Sequence, residues 1–259
     1  MNILVGIKHV PDTETKIKLT ADGRLDESGI KWIISPFDEY ALEQALLIRE
    51  SRGAGEVVLA CAGREASRTT LRQGLAMGAD RAVLIQDDRF EHCDALVRAR
   101  ALAATAKAEG AELVLLGKYG VGTDEWQTAP MLAEVLGWPH VSAVCRFELE
   151  GENITAARAV EGAVEVHETR LPAVISCEKG LNEPRYASLK GIMQAKKKPI
   201  EMISAADVGI EDSELENPKL VWESMEQPAP RSSAILVDGE PREAASKLAR
   251  MLRDDAKVI

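Results

Sequence analysis

Aromatic side chains are scarce in this sequence: three Phe, three Tyr and four Trp make up 4% of 259 residues. A surface that grips single-stranded nucleic acid by stacking successive bases is hard to assemble from so few rings. Positive charge is also in deficit, with a net charge of −10, which argues against nucleic acid or an anionic lipid surface as a partner. The four cysteines, Cys61, Cys93, Cys145 and Cys177, stand singly, with no C-x-x-C pair and no histidine at ligand spacing. That leaves no metal-binding pattern and suits a reducing, cytoplasmic setting. No apolar run approaches the ~20 residues of a membrane span, and MNILVGIKHV enters a strand-like run without a basic leader, so no membrane insertion is expected. A catalytic set is missing too. His9, His92, His140 and His167 are far apart, no serine sits in G-x-S-x-G, and Asp87/Asp88 and Asp254/Asp255 read as solvated pairs. The chain reads as a holder of something rather than an enzyme in its own right.

What is present is a rhythm. NILVGI (2–7), EVVLACA (56–62), RAVLIQ (81–86) and AELVLLG (111–117) are continuous aliphatic runs. Longer segments with helical apolar spacing separate them: 38–53, with Asp38 as candidate N-cap and Gly53 past its last turn, 65–78 and 94–110. Unbroken apolar strands alternating with helices predict an α/β fold, a doubly wound, mostly parallel sheet covered on both faces. After about residue 140 the pattern becomes strand-like with turns at 150–153 and 161–162, predicting a small antiparallel excursion that rejoins the sheet at LPAVISC. From 204 the chain is acidic and punctuated by Pro218, Pro228, Pro230 and Pro241, and only 240–254 looks helical. We therefore expect an α/β domain over 1–203 and a C-terminal arm over 204–259 that lies on another surface.

In open parallel sheets, ligands gather at the carboxyl ends of the strands. Three loops fall there. LLGKYGVGTDEWQT (115–128) offers glycines, the hydroxyls of Thr123 and Thr128, and Gln127 ahead of a helix, either an anion cradle or a glycine-rich connection without a ligand. ISPFDEY (34–40) either walls a base-sized pocket with Ser35, Pro36 and Phe37 or simply starts a helix. Cys61 to Gly63 either lets a ligand approach small residues or buries a structural cysteine.

A further stretch, LNEPRYASLKGIMQAKKKP (181–199), joins turn formers, exposed-looking apolar residues and three lysines. Such a segment suits docking to another protein, with Leu189 at a loop tip and Arg185 and the lysines steering an acidic partner, unless Leu189 packs inside its own subunit. This stretch closely resembles the recognition loop of electron transfer flavoprotein β subunits. The likeness extends through SPFDEYALEQA, LRQGLAMGADRA, LLGKYGVGTDEWQTAPMLAEVLGWP and ARAVEGAVEVHETRLPAV, covering most of residues 2–205, while the arm matches weakly.

The resemblance implies an adenine-nucleotide α-hydrolase-like fold and a heterodimer with an α subunit, which holds most of the single FAD. It implies electrons taken from soluble acyl-CoA-type dehydrogenases and passed to a membrane quinone oxidoreductase. It places a structural AMP on Gly6, on Ser35, Pro36, Phe37 and Asp38, and on Cys61. The same site continues over Gly117, Lys118, Tyr119, Gly120, Val121, Gly122, Thr123, Asp124, Glu125, Trp126, Gln127 and Thr128. It places dehydrogenase docking on Asn182, Glu183, Pro184, Arg185, Tyr186, Leu189 and Ile192. Many relatives read Asp-Asp-Asp-x-Asn-Gln-Thr in the nucleotide loop, and this chain departs from that. An electron-bifurcating, NADH-oxidising variant, with a second FAD in place of AMP, is the alternative that the resemblance leaves open.

Overall fold

Along the chain the elements follow the apolar runs. The structure is a computed structural model that describes residues 1–231 and 233–259. The first strand, β1 (Asn2–Gly6), leads into a short antiparallel ribbon of β2 (His9–Pro11) and β3 (Trp32–Ile34), which the apolar pattern did not announce. Helix α1 (Pro36–Arg52) follows, then β4 (Glu56–Gly63), α2 (Arg68–Met77), β5 (Arg81–Gln86), α3 (Ala95–Ala108) and β6 (Ala111–Gly117). Next come α4 (Thr128–Leu136), an antiparallel meander of β7 (His140–Glu150), β8 (Asn153–Val160) and β9 (Ala163–Arg170), and then β10 (Ala173–Cys177). Helix α5 (Leu189–Ala195), β11 (Ile200–Ser204), α6 (Asp212–Glu216) and α7 (Pro241–Arg250) complete the chain, and α7 runs into a π-helical turn, Met251–Asp255.

Nine strands form one sheet in the order β11-β5-β4-β1-β6-β10-β7-β8-β9. All pairs from β11 to β7 are parallel, and β8 and β9 extend the same sheet antiparallel. The expected excursion is thus an extension of the main sheet, and LPAVISC returns as β10 between β6 and β7. Alternate residues of each strand serve opposite faces. Ile3, Val5, Val57 and Leu59 pack under α1 and α2, while Leu4, Val58 and Ala60 pack under α3 and α4. Both faces are therefore buried, which is why the central strands are apolar throughout.

The helix boundaries show local causes. Asp94 accepts from Val97 N at 3.0 Å and caps α3. Gly53 and Gly137 end α1 and α4 in the left-handed conformation, which glycine adopts without a Cβ penalty. Asp38, however, is not the N-cap of α1. The helix begins earlier, with Ser35 in the capping position and Pro36 supplying its fixed φ at the first helical residue, so Asp38 falls inside the first turn and its carboxylate points inward. The compact body also runs past residue 203, because Ala205, Ile210 and Leu215 are buried against the α3/α4 side of the sheet.

Candidate functional site

Sheet order reverses at β1: the connection through α1 leads to β4 on one side, and β6 is added on the other. Such a switch point opens a crevice at the carboxyl ends of the strands. Here it is bounded by the segment after β1, the first turn of α1 and the loop after β6. Asp38 ties the three together. Its buried carboxylate accepts from Lys8 N at 2.8 Å and from Gly117 N at 2.9 Å. Burial outweighs these two amides and pushes its pKa up to about 7. Gly117 has no space for a side chain, since a Cβ would stand 2.5 Å from Asp38 Oδ1 and 2.6 Å from Phe37 Cβ.

The loop that follows is held over α1. Val121 N donates to Ser35 Oγ at 3.4 Å, and the Phe37 and Tyr119 rings meet at 4.6 Å between centroids. Trp126 continues the cluster at 5.1 Å from Tyr119. Lys118 Nζ lies 4.6 to 5.1 Å from all three rings while pairing with Glu178 at 2.5 Å. Two non-glycine residues of the loop, Asp124 and Trp126, adopt positive φ of 48° and 59°, a conformation that costs about 1 kcal/mol or more each and clusters at ligand sites. Gln127 occupies the capping position of α4 without making a side-chain cap bond.

The structure thus brings together the segments 35–38 and 117–126. Gly6 sits behind them, where a Cβ would strike Leu116 Cδ2 at 2.8 Å. Cys61 is buried in β4; burial pushes its thiol up to about 12, against a hydrogen bond from Ser67 that pulls the other way. Two residues of the crevice were not singled out from the sequence. Lys8 enters from the end of β1 and Arg98 from α3. A lysine directly after a buried strand that ends at the ligand edge is a usable signal for the first, and an arginine within an alanine-rich helix gives none for the second.

The segment 181–199 lies elsewhere: residues 182–185 are fastened to α1, and α5 packs on α2. Arg185 makes a fork with the buried Glu43, at 2.8 and 2.9 Å, and a second pair with the exposed Glu50 at 2.5 Å. Asn182 Nδ2 donates to Tyr40 O and Gln44 Oε1. Arg185 is therefore an anchor, not the free steering charge expected. Lys198 is also engaged, donating to Leu75 O and Ala79 O, whereas Lys190, Lys196 and Lys197 are exposed. Leu189 is the first residue of α5 instead of the tip of a loop, because Ser188 caps that helix through Gly191 N at 3.0 Å. It does not pack inside its subunit. Tyr186 is 98% and Leu189 83% exposed, with Met193 and Ile192 beside them.

The fold and its crevice define an open, doubly wound α/β protein with polar and cationic groups converging at the switch point. The electron transfer flavoprotein domain matches residues 22–208. Over 260 aligned residues, covering all of both chains, the sequence is 39% identical to the electron transfer flavoprotein subunit beta of Bacillus subtilis. It is 37% identical to the subunit of that name from Bos taurus over 241 residues, 92% of this chain and 93% of the other. The mitochondrial subunit beta of Oryza sativa is 37% identical over 262 residues. The chain belongs to the electron transfer flavoprotein family, on its β-subunit side.

Proposed function

We propose that this chain works as a cytoplasmic, heterodimeric electron carrier with an electron transfer flavoprotein α subunit. In this reading it makes and breaks no bonds of its own. FAD, held mainly by the α subunit, supplies the redox chemistry when bound. Electrons arrive from acyl-CoA-type dehydrogenases and leave towards a membrane quinone oxidoreductase. The observation that carries the proposal is the ridge of Tyr186, Leu189 and Met193, exposed yet set on a segment fastened to α1. An apolar ridge on a fixed base costs little ordering when a partner covers it. The arm after residue 216 exposes Val221, Trp222, Ile235 and Leu236, and apolar surface of that kind suits the α subunit as its cover.

AMP fits the crevice as a structural ligand. Phe37, Tyr119 and Trp126 give an aromatic wall, and Lys8 has hydrogen-bond donors to spare. Trp126 packed over Tyr119 and Lys118 narrows the space that a second, longer FAD would need. Denaturing the co-expressed heterodimer should release one FAD and one AMP per pair, identified by chromatography and mass. Two FAD and no AMP would favour the bifurcating, NADH-oxidising reading instead.

Docking is tested at Leu189. Burying one such side chain in a partner contributes roughly 1.5 to 3 kcal/mol, about ten- to a hundredfold in affinity at ~1.4 kcal/mol per decade. Leu189→Ala should raise the KM for the dehydrogenase by that factor while the denaturation midpoint and flavin content stay put. Unaltered transfer kinetics in the folded variant would reject the ridge as a docking surface.

A further inference from the structure

Helix α5 carries Leu189 and Met193 on a scaffold too short to stand alone. It spans seven residues, Leu189–Ala195, and isolated helices below about 12 to 15 residues are marginal in water. What holds it is α2. Gly191 lies flush on the end of that helix, where a Cβ would collide with the backbone oxygen of Ala76. Ala195, one turn further on, is buried in the core. Gly191 and Ala195 are four residues apart and share a face. Leu189 and Met193 are also four apart, and each stands two residues, ~200°, round the helix from Gly191. The α5 part of the exposed ridge is therefore the face opposite this seat.

The two helices also exchange side chains at their ends. Arg72 of α2 donates from Nη1 to Lys198 O at 2.7 Å and to Ala195 O, the latter one of the carbonyls that a helix leaves unpaired at its C-terminus. Among the described residues these two carbonyls are the only hydrogen-bond acceptors of Arg72. Lys198 returns the contact, its Nζ donating to Leu75 O at 3.2 Å and to Ala79 O at the C-terminal end of α2. A cation at a helix C-terminus also meets the favourable end of the dipole. With Ser188 capping the first turn through Gly191 N, α5 is clamped at both ends and along one face. Lys190, Met193 and Gln194 are left exposed.

We infer that Arg72 and Gly191 are positioning residues for docking: they set the angle at which Leu189 and Met193 meet the dehydrogenase, and so govern its binding without touching it. This rests on the docking reading given above. A ridge already held in its bound posture loses little freedom when a partner covers it. The same side chains on a displaced helix would meet the partner's pocket out of register. Recognition then depends on a backbone contact beneath the ridge as well as on the side chains that form it.

The test is steady-state electron transfer from one purified acyl-CoA dehydrogenase, reduced by its own substrate, to the co-expressed heterodimer. Gly191→Ala separates posture from helix formation, because alanine is the better helix former and yet its Cβ must push α5 off α2. KM should rise towards the about ten- to hundredfold expected of Leu189→Ala, with kcat and flavin content unchanged. Arg72→Met should raise KM likewise, and Arg72→Lys, which keeps a donor for the two carbonyls, should restore most of the loss. In a background of Leu189→Ala with Met193→Ala, Gly191→Ala should add little, since the side chains it positions are gone. Gly191→Ala with the wild-type KM, while Leu189→Ala raises it, would overturn the seat and leave docking at the ridge standing. A full effect persisting in the ridge-less background would overturn it too, as would a matching loss of kcat or flavin. Leu189→Ala without effect would remove the docking reading itself, and the proposal with it.

Discussion

Replacing Asp38 by alanine should destabilise the heterodimer by about 2 to 6 kcal/mol. The carboxylate satisfies two backbone amides, Lys8 N and Gly117 N, and each donor left buried without a partner costs about 1 to 3 kcal/mol. Neither gap can be closed by collapse, because Gly117 is already in contact with Phe37. Asp38→Asn separates charge from hydrogen bonding through its pH dependence. The unfolded carboxyl titrates near 3.8 and the folded one near 7. Between those values the folded state keeps a proton that the unfolded chain has released, so this group's contribution to stability is greatest below about pH 4 and is lost as pH rises to about 7. Chemical denaturation from pH 4 to 8 should show that decline in the wild type and its loss in Asp38→Asn. A decline that persists unchanged in the asparagine variant would assign it to another group.

The second large effect belongs to Arg185. Glu43 is 5% exposed at its side chain, and Arg185 supplies its ion pair. Removing one partner of a buried pair leaves an uncompensated charge and costs about 3 to 5 kcal/mol. Glu50, nearly half exposed, contributes little by comparison, because solvent screens its pair. Arg185→Met should therefore lower stability by about 3 kcal/mol or more, whereas Glu50→Gln should change it by less than ~1 kcal/mol. Adding Glu43→Leu to Arg185→Met should restore most of the loss, since the charge is then gone. Denaturation of the four-member cycle reads this directly, and an additive double variant would show that the pair does not carry the segment.

How much of this was legible in the sequence depends on distance along the chain. The central strands were readable because burial on both faces forces unbroken apolar runs, and the end of α1 because Gly53 acts on its own neighbours. The loops at the carboxyl edge followed from the strand order that such a pattern imposes. Asp38 misled, since an aspartate before an apolar periodic run looks like a cap, while Ser35-Pro36 had already started the helix. The strand β11 was missed because IEMIS is mostly exposed and lacks the aliphatic signature. Lys8 and Thr123 meet only after folding, from positions 115 residues apart. Local pattern cannot show such convergence. The same applies to Arg185, whose partners lie 142 and 135 residues away.

Helix α1 supplies Phe37 and Asp38 to the crevice and Tyr40, Glu43, Gln44 and Glu50 to the segment that carries the exposed ridge. One helix thus serves two surfaces at once, the crevice from its first turn and the segment from positions 40 to 50. A ridge transplanted from a relative to change the choice of dehydrogenase would not keep its posture unless the matching residues of this helix travelled with it. Tyr40, Glu43 and Gln44 sit within two turns of Asp38, so exchanging partner specificity by swapping loops would also disturb the floor of the crevice.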